Sequence, residues 1–188
     1  MSDESIKRAQ SIVGYHPEGR PENDFYPTPD IGTEGLLERE LLSKVVWEPA
    51  CGDGAMSKVI QKYGYSVVSS DIEPRGFGER MDFLKTTSLL GNAPSIVTNP
   101  PFRIAQEFAE HALELGAIKV CLLCKLAFLE GQERAAWLEQ SPLKRVWVFK
   151  KRLTLYRDGV KLKNGGMIAF AWFIWERGWQ QKPTIGWI

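Results

Sequence analysis

The sequence predicts a doubly wound α/β domain, a mainly parallel sheet covered by helices on both faces. Three observations predict it. Short apolar, β-branched runs alternate with segments of helical spacing, the pattern of strands joined by crossover helices. Two of these runs end in loops of glycine, proline and acidic residues, which suit the carboxyl edge of such a sheet, where ligands bind. The 188 residues, 44% hydrophobic and 25% charged, suit one soluble domain with one sizeable core.

The elements follow in order. Residues 1–24 are polar, with Gly14, Pro17, Gly19 and Pro21 close together, and read as a flexible N-terminal arm holding at most a short helix over 6–13. Residues 25–188 then read as the single domain. Phe25-Tyr26-Pro27-Thr28-Pro29 is an extended turn, because each proline pushes its predecessor out of the helical region. A helix is expected over 31–42, with Leu36, Leu37, Leu41 and Leu42 on one side. A strand over 45–48 leads to a helix over 55–63 closed by Gly64. A β-branched strand over 66–70 ends at Asp71, and another over 95–98 runs into Asn99. A helix over 104–115, a buried strand over 118–124 and a helix over 132–140 follow. Strands over 146–149 and 167–175 close the pattern, separated by a basic stretch.

Several function classes are excluded. The longest apolar runs, 120–123 and 168–175, are far too short to cross a bilayer, so no membrane partner is expected. The first ten residues have no apolar stretch behind their charges, which argues against a secretory leader. Three cysteines, an odd and low count, point to a reducing compartment. Cys121 and Cys124 have metal-like spacing, but an offset of three in a strand sends them to opposite faces, so no metal site is expected. The same parity argument separates Trp172 from Trp175. His16 and His111 have no evident partner in the sequence and receive no catalytic role.

Residues Glu48-Pro49-Ala50-Cys51-Gly52-Asp53-Gly54 lie between a strand and a helix. Glycine there lets the backbone approach a ligand closely. Asp71, at the end of the next strand, is placed to accept hydrogen bonds from ribose hydroxyls. Glu48, Asp53 and Asp71 would repel a pyrophosphate and favour a cation, which argues against a dinucleotide. Taken alone, the loop also fits a plain strand-to-helix turn.

Asn99-Pro100-Pro101-Phe102 is more specific. Two prolines cannot donate to a sheet ladder and hold the chain rigid, so Asn99 is presented from a fixed backbone. An exocyclic aromatic amine is a weak nucleophile because its lone pair is delocalised. The Asn99 side-chain oxygen and the Pro100 carbonyl are suitable acceptors for its two N–H bonds, and Phe102 is suited to stack on the ring. A Pro-Pro turn with Phe102 in the core is the plainer alternative.

On these residues the chain resembles the class I S-adenosylmethionine (SAM)-dependent methyltransferases, and within them the amino-group DNA methyltransferases of prokaryotes and their viruses. Glu48 to Gly54 is similar to their first motif, Asp71 with Ile72 to the ribose-binding acid and its neighbour, and Asp82-Phe83 to the motif flanking the SAM adenine. Asn99 to Phe102 matches the catalytic tetrapeptide. Tyr26, Thr28 and Pro29 belong to a segment similar to the N-terminal motif that closes over the methionine end of SAM. The order of motifs is that of the gamma-type enzymes.

The resemblance implies a Rossmann-like sheet of seven strands with an antiparallel last strand. It implies SAM as cofactor, DNA as partner, methyl transfer to N6 of a flipped-out adenine, and a cytoplasmic location. The tetrapeptide is shared with methyltransferases of ribosomal RNA bases and, as a close variant, of protein glutamine, so these remain alternatives. A catalytically inactive, methyltransferase-like DNA-binding subunit is another.

Two departures qualify the resemblance. Ala50 replaces the first glycine of the loop, and no separate target-recognition domain is apparent. Specificity then rests on a small loop within 150–166 or on a second subunit, and the oligomeric state is open. Net charge is only +1, but residues 144–163 carry eight basic side chains against Asp158. Lys150, Lys151, Arg152, Tyr156, Arg157, Lys161 and Lys163 are the expected nucleic-acid contacts.

Overall fold

A computed structural model describes residues 25–73, 75–155 and 168–188. The described strands form one eight-stranded sheet. They are β1 (Val45–Glu48), β2 (Ser66–Asp71), β3 (Glu79–Arg80), β4 (Ser95–Thr98), β5 (Lys119–Lys125), β6 (Leu143–Val148), β7 (Phe170–Glu176) and β8 (Thr184–Trp187). Their spatial order is β3-β2-β1-β4-β5-β7-β6-β8. β7 runs antiparallel to both of its neighbours, and every other pairing is parallel. Four α-helices among the described residues accompany them: α1 (Asp30–Leu37), before β1, and α2 (Ala55–Lys62), α3 (Ala105–Glu114) and α4 (Gln132–Gln140), between strands.

The central strands are apolar on both faces, as parallel strands between helix layers must be. Alternate residues enter two separate cores. Trp47, Ile96, Val120, Leu122, Cys124, Phe173 and Trp175 pack with Phe108 and Ala112 of α3 and Leu138 of α4. Val46, Val97, Cys121, Leu123, Trp172 and Ile174 pack with Leu36 and Leu37 of α1 and Val59 and Ile60 of α2. Cys121 and Cys124 thus face opposite layers as their parity requires, and so do Trp172 and Trp175. Burial pushes both thiols well above their ordinary range.

The doubly wound sheet is as the sequence predicts, with three corrections. Among the described residues there are eight strands rather than seven, and the antiparallel strand is followed by β8, which pairs in parallel with β6. β3 and β8 escaped the sequence reading because neither buries an alternating face. Glu79 and Arg80 are exposed, and Ile185 and Trp187 are 58% and 59% exposed.

The second correction concerns the first helix, which stops at Leu37 and leaves Leu41 86% exposed. The chain departs from helical spacing because Glu40 is drawn inward. It meets Lys119 Nζ at 2.9 Å, an Arg145 guanidinium nitrogen at 3.1 Å and Trp147 Nε1 at 3.0 Å. Third, His111 does have partners: the Thr86 hydroxyl lies 3.2 Å from its Nε2, and its ring meets the Phe83 ring edge-on. The expected arm and its short helix lie outside the described residues.

β1, β2, β4, β5 and β6 point the same way, so the loops that leave them share one rim of the sheet. Both motif loops leave strands at this rim.

Candidate active site

The loop after β1 is built by its glycines. Gly52 and Gly54 have φ of +53° and +78°, conformations that side chains resist. A Cβ on Gly52 would clash with the Phe25 ring, and one on Gly54 would clash with the Phe77 ring. The glycines therefore admit two of the chain's own aromatic rings, not an open approach to the backbone. The loop is tied to β2 through its amides. Cys51 N–H donates to the Ser70 carbonyl at 3.0 Å, and Gly52 N–H donates to Asp71 Oδ2 at 2.7 Å. Asp71 Oδ1 accepts from Glu73 N–H at 2.9 Å. Each carboxylate oxygen keeps a lone pair for a further donor.

These loops enclose a pocket of about 450 Å³, within the size range of small-molecule sites. Of the expected binding residues, Tyr26, Thr28, Glu48, Pro49, Ala50, Cys51, Asp53, Asp71, Ile72, Asp82 and Phe83 line it, and so do Asn99 and Pro101. Segments far apart in sequence, from Phe25 to Phe108, thus meet around one cavity. Pro29, Gly52, Gly54, Pro100 and Phe102 do not line it. Pro29 caps α1, its carbonyl accepting from Gly32 N–H at 2.8 Å. The two glycines and Pro100 are buried behind the wall. Phe102 turns to a second, neighbouring pocket. Phe83 is core as much as wall, 2% exposed and edge-on to Trp47.

Four carboxyl groups line the pocket, against two arginines, Arg75 and Arg103. Arg75 lies 4.3 Å over the Phe25 ring, and Asp82 pairs with the exposed Lys85 at 2.9 Å. Glu48 is the unusual member. It is 2% exposed, takes a hydrogen bond from the Ser57 hydroxyl, and has no cationic partner among the described residues. Burial pushes its pKa up to about 8, with Asp71 and Asp53 adding to the rise. Burial and these same carboxylates push the Cys51 thiol up to about 12, so it is no nucleophile near neutral pH.

Asn99 is oriented by the N-terminal segment. Its Nδ2 donates to the Tyr26 carbonyl and to Thr28 Oγ1, both at 3.2 Å. Its Oδ1 is buried with no hydrogen-bond partner among the described residues. Such an orphaned acceptor is costly unless a donor arrives. The pocket therefore offers acid groups for a cation and a fixed acceptor for an N–H.

The sequence reading missed several lining residues, including Phe25, Arg75, Met81, Arg103 and Phe108. Phe25 stands inside a recognised motif and could have been taken with it; Arg75 and Met81 carry no local signal. Lys150, Lys151 and Arg152 are exposed on the segment leaving β6 at the same rim, but they line neither pocket. Lys144 and Arg145, also part of the basic stretch, sit near the start of β6, paired with Glu176 at 2.8 Å and Glu40 at 3.1 Å. They are therefore not free to meet phosphates. Tyr156, Arg157, Lys161 and Lys163 lie outside the described residues.

A sheet ordered β3-β2-β1-β4-β5-β7-β6, with β7 alone antiparallel, is the Rossmann-like fold of class I methyltransferases. Solved structures similar to this chain carry that fold. One, from Pyrococcus horikoshii and assigned as an RNA methyltransferase, has a TM-score of 0.62 at 15% identity, covering 92% of this chain and 98% of its own. A modification subunit assigned to a type I restriction enzyme of Vibrio vulnificus YJ016 has a TM-score of 0.61 at 12% identity, over 100% of this chain and 53% of its own. The chain thus spans about half the length of that subunit. Magnesium protoporphyrin IX methyltransferase from Synechocystis PCC 6803, solved with bound SAM, has a TM-score of 0.52 at 12% identity, over 95% and 98% of the two chains. At these identities the likeness is one of fold. No protein-family model matches the chain, and no curated protein matches it in sequence.

Proposed function

We propose that the protein is a SAM-dependent methyltransferase acting on N6 of adenine in DNA. The observation that carries this reading is Asn99. Its amide nitrogen is fully engaged by Tyr26 and Thr28, while its oxygen is left without a donor at the wall of an acid-lined pocket.

The pocket suits SAM, a cation without phosphate. Asp71 would take the ribose, Asp82 the adenine amino group, and Asp53 and the Gly52 loop the charged remainder, under Tyr26 and Thr28; Glu48, held neutral by burial, would ionise as the cation arrives. When bound, SAM supplies an electrophilic methyl group on a sulfonium. The chain's own part is to position and to exclude water. Asn99 Oδ1 accepts one N–H of the acceptor amine, which holds its nitrogen nearer to tetrahedral as it attacks; the Pro100 carbonyl, set behind the pocket wall, would take the second only if the bound base reaches past that wall. The proton is lost after attack, so no buried base is required. An adenine within a duplex must leave the stack to reach Asn99. Lys150, Lys151 and Arg152, on the same rim, are suited to hold the flanking backbone.

Purified protein given tritiated SAM together with DNA, ribosomes and release factor should label DNA alone, with N6-methyladenine found by mass spectrometry of the digested DNA. Asn99→Ala should lower the rate by about 10²–10³-fold. Label confined to RNA or protein would replace the substrate. A protein that fails to take up SAM in a calorimetric titration is not a methyltransferase, and the reading falls.

A further inference from the structure

A second pocket, of about 230 Å³, lies beside the first across Phe102 and Arg103. Its chemistry is the reverse of its neighbour's. Every charged side chain lining it is basic: Arg103, Lys125 and Arg134. Two aromatic rings complete the wall, Phe102 and Phe128. Each is covered by a cation: Lys125 Nζ stands 4.8 Å over Phe102, and the Arg134 guanidinium 4.8 Å over Phe128.

That arrangement decides what the pocket can hold. A base needs a bare ring face on which to stack, and here each ring has a face occupied by a cation. A guanidinium placed over a ring face does not spend its N–H donors on that ring, and they remain to match the oxygens of a phosphate. Arg134 is short of acceptors. Its Nε is buried without a partner among the described residues, and its guanidinium makes a long bond, 3.4 Å, to the Glu130 carbonyl. Arg103 is exposed and makes no ion pair among the described residues. Arg103 also borders both pockets, four residues beyond Asn99.

We propose that this basic pocket binds a phosphodiester of the acceptor strand through Arg103 and Arg134. An acceptor that places an amino-bearing ring at Asn99 and an anion at Arg103 is a nucleotide within a strand. A protein glutamine carries no such anion at a fixed distance. The proposal rests on the methyl-transfer reading above only for what sits at Asn99; the phosphate site itself stands on the pocket's charges. Its chemistry is common to DNA and RNA, so both must be offered.

The test uses the full chain and fluorescent single-stranded DNA and RNA oligonucleotides carrying one adenine. Binding is followed by anisotropy across a salt series. Arg103→Gln and Arg134→Gln should each weaken binding on the order of tenfold and flatten the dependence of log K on log salt by about one ion. Arg134→Gln should leave the calorimetric affinity for SAM unchanged. Replacing the phosphates flanking the adenine by neutral methylphosphonates should weaken binding to the unaltered protein to a similar extent. It should also abolish the further loss from Arg103→Gln. This arm holds even where Arg134→Gln does not fold.

Unchanged affinity and salt slope in Arg103→Gln, or an equal loss with neutral and charged backbones, overturns the proposal. Arginine dependence seen with RNA and not DNA keeps the pocket and changes the strand. Arginine-dependent binding without any SAM uptake keeps the pocket and removes the methyl transfer. DNA methylation untouched by Arg103→Gln does the opposite.

Discussion

Two glutamates at opposite ends of the sheet are almost equally buried, Glu40 at 4% and Glu48 at 2% exposed, yet their surroundings differ completely. Glu40 lies at the amino end of the strands, where Lys119, Arg145 and Trp147 give its two oxygens three donors. Glu48 lies at the carboxyl end of β1, with the Ser57 hydroxyl and two further carboxylates nearby but no cation among the described residues. Burying an ion costs several kcal/mol unless it is paired, and an unpaired carboxyl neutralises instead, which is what burial does to Glu48. The paired glutamate holds elements together. The unpaired one shares its rim with an orphaned Asn99 oxygen, and both are open to a ligand.

The comparison breaks most visibly at the paired end. Glu40→Ala strands Lys119 and Arg145 and should cost ~3 kcal/mol in denaturant unfolding, with little change in SAM affinity. Lys119 keeps a second acid, Glu176 at 3.4 Å, so the loss should fall short of that for a fully isolated charge. A loss below about 0.5 kcal/mol, the size of an exposed pair, would show that Glu40 is not the structural member of the two.

At the unpaired end the sign reverses with pH. The folded-state pKa of Glu48, about 8, lies above its ordinary 4.5. Its contribution to stability is therefore fully present below about pH 4.5 and is lost as pH rises through about 8. Glu48→Gln does not titrate. Without ligand, its stability relative to the parent should climb with pH by at most ~1.4 kcal/mol per unit across that window, then level off. Melting curves at pH 5, 7 and 9 check this, and a constant difference between the two proteins would mean that Glu48 is charged when folded.

Much of this contrast was legible in the sequence, but not evenly. The acid loop, Asp71 and Asn99 announce themselves because each demands unusual residues at one spot: glycines at positive φ, an acid ending a strand, two successive prolines. The core strands were equally plain, since β5 and β7 are apolar on both faces. What stayed hidden depends on partners distant in sequence. Glu40 looks like one more polar position of a helix, and only Lys119, Arg145 and Trp147, brought up by β5 and β6, end the helix early. The basic stretch misled for the same reason. One strand carries its first two cations to the amino end and its later ones to the carboxyl end, so contiguity in sequence is not a patch in space. The basic pocket likewise joins residues of three separate segments.

The smallest expected effect sharpens the comparison at the level of one hydroxyl. Three donors pin the Glu40 carboxylate, whereas two acceptors, Tyr26 O and Thr28 Oγ1, pin the Asn99 amide and leave its oxygen unpartnered. Thr28→Val is nearly isosteric at a site 5% exposed, and it removes one of the two acceptors. With the Tyr26 carbonyl alone, the amide has less to stop it rotating its oxygen out of register. Losing one such neutral bond is worth ~1 kcal/mol, so the methyl-transfer kcat should fall by about five- to tenfold. The fall should exceed any rise in the Kd for SAM, because the hydroxyl acts through Asn99. Thr28→Ser keeps the acceptor and should restore most of the rate. A serine variant as slow as the valine one would assign the effect to the lost methyl group and its packing, and the amide of Asn99 would then owe its orientation to the backbone of Tyr26 alone.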